Sequence, residues 1–362
     1  MRTSQFNLFF SHQGNMIGYN SLENDFILLT NELYDLYTET LSKDITKIAA
    51  IHPDFWKLLI DKHFIISDDT DELQQVKNLV HSIDCDQEAY HLIINPTLNC
   101  NFKCWYCYET HIKGSKMDGT TIEKIKKHIA QKLSNGIVKQ FTISWFGGEP
   151  LLYYKQIVFP ILEFANEYIA DKNIRFNSNF TSNGFLLNDK MISDFSRLGI
   201  NQFQITLDGH REKHNEVRYI GNKNGTYDKI ITNIKKCLKT KIHVTCRINI
   251  SKDTFNNIEK IIDDFSDLSP TEKYYLDFSF NQVWQEKENL HDKILKLIDL
   301  FNSYQFTNQY NMNIDTVKNS CYADKRSQAT INYNGDVFKC TVLINLTKIE
   351  KLILFEISFF MR

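Results

Sequence analysis

Three cysteines stand close together in one segment of the chain, Asn95-Pro-Thr-Leu-Asn-Cys100-Asn-Phe-Lys-Cys104-Trp-Tyr-Cys107, directly after a short apolar run. A loop with three thiols at such short spacings can direct all of them at one inorganic centre, and thiolates favour zinc or an iron–sulfur cluster. A closed zinc site needs a fourth ligand, for which His111 is the nearby candidate. Three ligands on a four-iron cluster would instead leave one iron open to chemistry. The spacing alone allows both kinds of site.

The spacing resembles the Cys-x3-Cys-x2-Cys signature of radical S-adenosylmethionine enzymes, in which an aromatic residue, here Tyr106, precedes the third cysteine. The resemblance implies that Cys100, Cys104 and Cys107 hold a [4Fe–4S] cluster. Its open iron would bind the amino and carboxylate groups of S-adenosylmethionine. One-electron reduction would cleave that cofactor to a 5′-deoxyadenosyl radical, so a flavodoxin- or ferredoxin-type electron donor is an expected partner.

The elements around this loop are predicted to alternate between strands and helices over residues 91–310, which indicates βα units and a parallel sheet. The strands alternate between apolar and polar residues, as in Gln202–Asp208 and His243–Ile250. Side chains on a strand repeat every two residues, so one face can pack on helices while the other stays polar. We expect about six βα units around a polar interior that binds a polar ligand, because each unpaired buried polar group would cost about 1–3 kcal/mol.

The radical S-adenosylmethionine family has such a fold, and the resemblance therefore agrees with the residue pattern. The expected fold class is α/β, with a partial (β/α)6 barrel similar to a TIM barrel. Three parts are predicted: a small N-terminal α+β module over residues 1–88, the barrel over residues 89–310, and an extension over residues 311–362.

Several motifs at the ends of successive predicted strands resemble cofactor-binding motifs of this family. Trp145-Phe-Gly147-Gly148-Glu149-Pro150 resembles the Gly-Gly-Glu motif that meets the methionine amino group, and glycines allow close backbone approach. Thr181-Ser182-Asn183-Gly184 resembles a step near the ribose, and Asp208 with Arg218 resembles the next motif. An arginine such as Arg247 can bind a carboxylate in a bidentate manner. Each residue alone could equally have a structural role, but their order at strand ends is specific. The resemblance implies cofactor-binding roles for Tyr106, Gly147, Gly148, Glu149, Ser182, Asn183, Asp208, Arg218 and Arg247.

Residues 1–88 are predicted to form two short strands and three small helices, the first helix capped by Thr30. This winged-helix-like order resembles the leader-peptide recognition element of many peptide-modifying enzymes. A plain packing domain is the alternative.

The C-terminal part contains Cys321, followed by a predicted Asn-Gly hairpin turn at Gly335 and by Cys340. This spacing resembles the opening half of a SPASM domain and implies that Cys321 and Cys340 ligate an auxiliary [4Fe–4S] cluster. However, no cysteine follows Cys340, and two thiols cannot complete a four-iron cluster. The apolar end of the chain also departs from the family pattern. We therefore expect a gene that is truncated or frameshifted past Cys340, which a read of the downstream genomic frames would test.

Composition excludes several partners. The 362 residues carry a formal net charge of −2 without a basic block, so neither nucleic acid nor an anionic membrane is expected. The sequence contains no run of about 18 apolar residues and no signal-peptide region, which predicts a cytoplasmic protein with metal-binding rather than disulfide-bonded cysteines. Other cysteines and the histidines are predicted to pack in the core or lie at the surface: Cys85, Cys237, Cys246, His91, His111, His128, His210, His214, His243 and His291.

Taken together, the resemblance implies hydrogen abstraction from a ribosomally made precursor peptide, followed by thioether or carbon–carbon cross-linking. Asp277, on the polar face of the sixth strand, is a candidate base. A sulfatase-maturing enzyme that forms formylglycine is the alternative enzyme. A non-catalytic metal- or peptide-binding remnant is the alternative outside catalysis.

Overall fold

A computed structural model describes residues 1–107, 109–221, 224–308 and 320–341 of the chain. Among the described residues, one compact unit contains residues 1–86 and 320–326, and the other contains residues 87–308 and 327–341. The three-part division expected from the sequence stays a prediction. Its last part falls largely on residues 309–319 and 342–362, which lie outside the described residues, as does the apolar end of the chain.

The first unit contains a three-stranded antiparallel sheet, of order β2-β3-β4, and a small β1-β5 pair. The elements of residues 1–86 are β1 (Arg2–Thr3), β2 (Asn7–His12), β3 (Asn15–Asn20), β4 (Asp25–Leu29), α1 (Asn31–Leu41), α2 (Lys47–Ile51), α3 (Pro53–Asp61), β5 (Ile65–Ile66) and α4 (Glu72–Asp84). The predicted cap is confirmed, because the Thr30 side chain accepts a hydrogen bond from the Leu33 backbone N–H. The prediction of two strands was incomplete. It missed β3, whose Asn15, Gly18 and Asn20 have low strand propensity, and the two-residue strands β1 and β5.

The second unit is built on a nine-stranded sheet of order β14-β13-β12-β9-β8-β7-β6-β15-β16. Its strands are β6 (Ala89–Ile94), β7 (Gln140–Trp145), β8 (Arg175–Ser182), β9 (Gln202–Leu207), β12 (His243–Ile250), β13 (Leu276–Gln282), β14 (Thr307–Asn308), β15 (Gln328–Ile331) and β16 (Val337–Phe338), and β10 (Tyr219–Ile220) pairs apart from them with β11 (Asn224–Gly225). Every neighbouring pair from β14 to β15 is parallel, and only β15–β16 is antiparallel. The α/β class and the partial barrel are confirmed.

Helices connect these strands, in line with the predicted alternation of strands and helices. They are α5 (Gly119–Leu133), α6 (Phe159–Ile169), α7 (Asp189–Arg197), α8 (Arg211–Val217), α9 (Tyr227–Lys239), α10 (Ile261–Asp264), α11 (Pro270–Tyr274) and α12 (His291–Ser303). Asn188 caps α7, because its side chain accepts a hydrogen bond from the Met191 backbone N–H. None of the helices in the described ranges combines the length and the apolar character needed to cross a membrane.

Alternation along the strands separates two faces of the sheet. Leu92, Ile143, Phe180 and Ile205 belong to one buried apolar core under the helices. Residues of the opposite face point into the barrel interior, which is polar as predicted. This inner face carries His91, Ser144, Asn179, Thr206, Arg247, Ser279 and Thr330.

The predicted hairpin at Gly335 is present between β15 and β16. The sequence did not indicate that β15 would pair in parallel with β6, with Gln328 opposite His91 and Ile331 opposite Ile94. The hairpin is therefore part of the barrel sheet, next to the strand that leads into the cysteine loop.

Candidate active site

The cysteine loop begins where β6 ends, and two glycines after β7 hold it closely. The backbone N–H of Gly148 donates to the Thr97 carbonyl at 3.0 Å, and that of Glu149 donates to the Asn99 carbonyl at 2.9 Å. A β-carbon on Gly147 would clash with the Thr97 oxygen, and one on Gly148 with the Asn99 oxygen. Gly147 also has a φ of 100°, which an L side chain rarely adopts. The glycines thus admit the backbone of the loop, whereas the sequence had suggested only a close approach to a ligand.

Glu149 fastens this region to the end of β8. Its fully buried carboxylate accepts hydrogen bonds from the Leu151 N–H at 3.0 Å, the Ser182 hydroxyl at 2.9 Å and the Asn183 N–H at 2.8 Å. Burial raises the pKa of Glu149, and these donors act against that increase. Asn183 in turn donates to the Asn101 side-chain oxygen at 2.8 Å, with its amide nitrogen 3.9 Å from the Cys100 sulfur. Glu149, Ser182 and Asn183 are therefore brought together beneath the cysteine loop.

Tyr106 connects the loop to the ends of β9 and β12. Its hydroxyl lies 2.8 and 2.6 Å from the two Asp208 carboxylate oxygens and donates to that carboxylate. The same hydroxyl accepts from Arg218 at 2.7 Å and from the Asn249 amide at 3.0 Å. The Arg218 guanidinium also lies 3.4 Å from Asp208. We call Tyr106, Asp208, Arg218 and Asn249 the tyrosine network.

His214 supports this network from behind, although the sequence indicated only a core or surface role for it. Its Nδ1 accepts a hydrogen bond from the Asp208 backbone N–H at 3.2 Å, and its Nε2 lies 3.1 Å from the Thr226 hydroxyl. His214 is fully buried, and burial lowers its pKa well below the usual value. Its place in the stretch His214-Asn-Glu-Val-Arg218 was the signal that could have identified it.

The three thiols are near neighbours in a partly buried loop. Burial, followed by the nearby Glu149 charge, raises the pKa of Cys100 to about 12, and Cys104 adds a smaller effect. Burial likewise raises the pKa of Cys104 to about 11, with a smaller contribution from Cys107. His111 lies with its Nε2 3.5 Å from the Cys107 sulfur. As the side chains stand, no group of three or more His, Cys, Asp or Glu residues in the described ranges is arranged to hold a metal ion.

Buried polar atoms without partners surround this loop and favour a polar ligand there. They include both side-chain polar atoms of Asn95, the Asn101 amide nitrogen, both Glu109 oxygens and Nε of Arg218. Such atoms are uncommon in native proteins, and each needs an explanation. Three soft thiol ligands together with these donors and acceptors fit a [4Fe–4S] cluster that carries a polar cofactor.

Arg247 is connected to the residues around the cysteine loop, whereas Asp277 lies near the other end of its strand. Arg247 reaches the tyrosine network indirectly, because its Nε donates to the Asn249 side-chain oxygen at 2.9 Å. Asp277 lies near the amino end of β13, and its carboxylate is 3.1 Å from His243 Nε2. The cysteine loop follows the carboxyl end of the neighbouring parallel strands, so the structure does not bring Asp277 to it. A base at Asp277 stays a prediction that its position does not favour.

The remaining cysteines lie outside the cysteine loop. Cys237 and Cys246 are buried in the barrel core as predicted. Cys321 and Cys340 lie in different compact units, and no disulfide occurs among the cysteines of the described residues. An auxiliary cluster at Cys321 and Cys340 therefore stays a prediction.

Comparisons with known proteins show what this chain is similar to in sequence and fold. The model of the radical SAM superfamily matches residues 94–265. The cysteine-type anaerobic sulfatase-maturating enzyme of Clostridium novyi is 29% identical over 180 residues, which are 48% of this chain and 47% of that protein. The radical SAM cyclopropyl synthase TigE of Paramaledivibacter caminithermalis is 22% identical over 286 residues, 74% of this chain and 58% of that protein.

The fold also matches a solved structure, that of Streptococcus suis SuiB bound to precursor peptide SuiA. The TM-score is 0.54 at 14% identity, and the match covers 96% of this chain and 85% of that chain. At this identity the match supports the fold alone. This chain spans about half the length of the two curated relatives named above, 47% and 58% respectively.

Proposed function

Because residues 94–265 match the model of the radical SAM superfamily, we propose that this chain is an enzyme that modifies a peptide with a [4Fe–4S] cluster and S-adenosylmethionine. Cys100, Cys104 and Cys107 are the residues that would hold the cluster. When bound and reduced, the cluster and its cofactor supply a 5′-deoxyadenosyl radical, which abstracts a hydrogen atom from the substrate.

The observation that carries this proposal is the tyrosine network. Tyr106 stands between Cys104 and Cys107, and its hydroxyl is bonded to Asp208, Arg218 and Asn249 at the ends of two barrel strands. A loop in a purely structural zinc site would have no need of buried, paired charges from a polar barrel interior. Here the interior and the thiols form one region, as an enzyme that presents a cofactor to a substrate requires.

The residues of this region have separable roles in the proposal. Glu149 fixes the end of β8 through Ser182 and Asn183, which would help to hold the cofactor. Arg218 and Asp208 present opposite charges, with which they can bind the charged groups of an amino-acid moiety. Arg247 and Asn249, further along the inner face of β12, line the route to the substrate.

The proposed peptide substrate draws on the family resemblance and on the precursor peptide bound in one structural neighbour of this chain. The solved SuiB structure contains a precursor peptide, and TigE is named as a cyclopropyl synthase. A ribosomal precursor peptide and a thioether or carbon–carbon cross-link form the proposed substrate class and product. A flavodoxin- or ferredoxin-type protein is the proposed electron donor, and the cytoplasm is the proposed location.

Sulfatase maturation is the second candidate, and the sulfatase-maturating relative from Clostridium novyi favours it. In that case the substrate would be a cysteine or serine within a sulfatase sequence. The same cluster site would serve both reactions, so substrate tests must separate them.

The proposal is tested by anaerobic reconstitution with iron and sulfide. On reduction with dithionite, the wild-type protein should cleave S-adenosylmethionine to 5′-deoxyadenosine. Cys104→Ala should lose both the bound iron and the cleavage. Cys237→Ala, which changes a cysteine of the packed core, is the matched control and should keep both.

Two results would contradict the proposal. A reconstituted wild-type protein that binds stoichiometric zinc and no sulfide would support a structural site instead. Iron and sulfide retained in Cys104→Ala would show that the cluster lies elsewhere. Incubation with sulfatase peptides and with precursor peptides, followed by mass spectrometry, distinguishes the two substrate classes.

A further inference from the structure

The cysteine loop has an exposed side as well as a side that contacts the barrel. Trp105, between two of the thiols, is 59% exposed, although its neighbour Tyr106 is directed into the tyrosine network. The Trp105 ring meets the Tyr106 ring edge-on at a centroid distance of 5.6 Å. Of the three thiols, Cys107 is exposed, and Cys100 and Cys104 are partly buried. The exposed side of the loop is therefore where a second protein can come near the thiols.

The segment after the thiols folds back against the start of the loop. The Ile112 backbone N–H donates to the Leu98 carbonyl at 3.2 Å, and the Ser115 hydroxyl accepts from the Leu98 N–H at 3.0 Å. These two bonds hold the stretch that carries Lys113 and Lys116 beside the loop. Both lysines are exposed.

The exposed charges of this region are mainly cationic. Lys103, Lys113 and Lys116 are all exposed, and none of the three has an ion-pair partner among the residues that the structure describes. The acidic residues of the same stretch are less available, because Glu109 is buried and the Asp118 carboxylate caps α5. Three unpaired ammonium groups thus lie close to the thiols in the chain.

The lysines accompany two exposed apolar side chains, Trp105 and Ile112, the second of which is 40% exposed. Tryptophan is enriched among the residues that dominate binding energy in protein interfaces, and charged residues at the rim guide association. Residues 100–133 contain 7 Lys against 3 Asp and Glu, a formal net charge of +4, which attracts anionic partners. We call the five exposed residues the loop surface: Lys103, Trp105, Ile112, Lys113 and Lys116.

We propose that the loop surface is the docking site of an acidic protein that donates single electrons. The carboxylates of the donor would face the three lysines, and an apolar part of it would cover Trp105. One electron then passes from the redox group of the donor to the cluster held by the cysteines, so that the donor is oxidised and the cluster reduced by one electron each. This inference rests on the proposed function, because only a reducible cluster needs such a donor.

The position of the loop surface suits this role. Tyr106 makes its contacts on the barrel side of the loop, where the cofactor and the substrate would bind. A donor on the exposed side approaches the thiols without displacing either of them. A second copy of this chain fits less well, because a two-fold contact through the loop surface would bring two sets of unpaired lysines together.

The first test measures binding without catalysis. The reconstituted full-length protein is titrated with oxidised flavodoxin in a calorimeter at several salt concentrations. The wild-type protein should bind, and its affinity should fall as salt is raised, because screening weakens the attraction between opposite charges. Lys103→Glu and Lys113→Glu should each weaken binding about fivefold. Trp105→Ala should weaken it about tenfold through loss of the apolar contact.

The matched control is Lys241→Glu. Lys241 is exposed and lies between α9 and the amino end of β12, whereas the cysteine loop follows the carboxyl end of a parallel strand. The substitution therefore makes the same charge change at the opposite end of the barrel, and it should retain the wild-type affinity. Circular dichroism and iron content check that each variant is folded and loaded.

A second measurement separates failure of docking from failure of the proposed function. Dithionite is a small reductant that needs no docking site. Lys113→Glu should therefore cleave S-adenosylmethionine as fast as the wild-type protein with dithionite, but more slowly with limiting reduced flavodoxin. A wild-type protein that binds flavodoxin and cleaves nothing with dithionite would contradict the proposed function and leave the docking site supported.

Three outcomes would overturn the inference. In the first, Lys103→Glu and Lys113→Glu bind flavodoxin as tightly as Lys241→Glu does. In the second, light scattering shows a wild-type dimer that Trp105→Ala dissociates, which would assign the loop surface to a second copy. In the third, flavodoxin does not bind, and vesicles containing phosphatidylserine bind the wild-type protein but not Lys113→Glu, which would assign the surface to an anionic membrane.

Discussion

At the scale of single residues, the site depends on buried charges that share partners. The Asp208 and Arg218 side chains are 1% and 9% exposed and lie 3.4 Å apart. Burying two ions costs more than their attraction returns unless further hydrogen bonds satisfy them. The Tyr106 hydroxyl provides such bonds to both, and Asn249 completes its hydrogen bonding. The buried charges of Asp208 and Arg218 are therefore more consistent with binding a ligand than with a role in stability alone.

Removing the Tyr106 hydroxyl tests whether it is the shared partner. Tyr106→Phe should lower the free energy of unfolding by about 1–3 kcal/mol, because Asp208, Arg218 and Asn249 all lose a hydrogen-bond partner. Tyr168→Phe is the control, since the Tyr168 hydroxyl donates to a single carbonyl, that of Ala130, at 2.9 Å. Urea denaturation of both variants provides the measurement. Equal losses of unfolding free energy in the two variants would show that the Tyr106 hydroxyl contributes no more than a single hydrogen bond does.

A second substitution tests the acceptor role of Glu149. Every group hydrogen-bonded to its carboxylate is a donor, so the amide of Glu149→Gln would place an N–H against another donor. We expect a loss of about 2–3 kcal/mol in unfolding free energy and less bound iron after reconstitution. Glu163→Gln, at a half-exposed residue with a distant arginine partner, should change neither. Full iron loading in Glu149→Gln would contradict the positioning role.

At the scale of elements, the strand ends were predictable and the contacts between them were not. Alternation of apolar and polar residues identified β9, β12 and β13 and their polar face, because burial depends on a period of two. The same reasoning could not distinguish the two ends of a strand by function. Asp277 lies near the amino end of β13, whereas the cysteine loop follows the carboxyl end of a strand. Gly147 and Gly148 were recognised as permissive, but their partner is the backbone of the loop.

The glycine contact leads to a prediction about the loop. Gly148→Ala should displace the cysteine loop, because the added methyl group would meet the Asn99 carbonyl oxygen. We expect reconstituted iron to fall at least several-fold while the circular dichroism spectrum is retained. Gly119→Ala is the matched control, since no atom lies within contact of a β-carbon there and its φ is not positive. Unchanged iron content in Gly148→Ala would show that the loop does not need this close approach.

Helix α5 provides a prediction of pH dependence. His128 on this helix contacts the Tyr90 hydroxyl at 2.5 Å, and burial, with a smaller effect of Lys132, lowers its pKa to about 4. Between the ordinary pKa of 6.5 and about 4, the unfolded chain binds a proton at this residue and the folded chain does not. The free energy of unfolding should therefore decrease as pH falls through this window, by up to about 3 kcal/mol.

The control for this prediction is His128→Gln, which removes the titrating group and keeps a polar side chain beside Tyr90. Unfolding of both proteins is followed from neutral to mildly acidic pH. The wild-type protein should lose more stability than His128→Gln over this range. Parallel pH profiles would mean that His128 titrates normally in the folded protein.

At the scale of the whole molecule, the family resemblance and the strand pattern together predicted the partial barrel. The sequence could not reveal the long-range contacts that form the site. Tyr106 and Asp208 are separated by 102 residues, and Tyr106 and Asn249 by 143. Local propensity also contains no information about which strand joins a sheet edge, which is why the pairing of β15 with β6 was not foreseen. Residues 1–86 contain 6 Lys and Arg against 14 Asp and Glu, a formal net charge of −8. The net charge of −2 for the whole chain does not reveal this difference.

The central claim is that three cysteines hold a cluster with one iron open to S-adenosylmethionine, although His111 lies near enough to Cys107 to suggest a closed site. The most direct test is the electron paramagnetic resonance spectrum of the reduced, reconstituted protein, recorded with and without S-adenosylmethionine. We predict that the cofactor changes the spectrum of the wild-type protein and equally that of His111→Ala. A spectrum that S-adenosylmethionine leaves unchanged in the wild-type protein but changes in His111→Ala would show that His111 fills the open position, and would contradict the account.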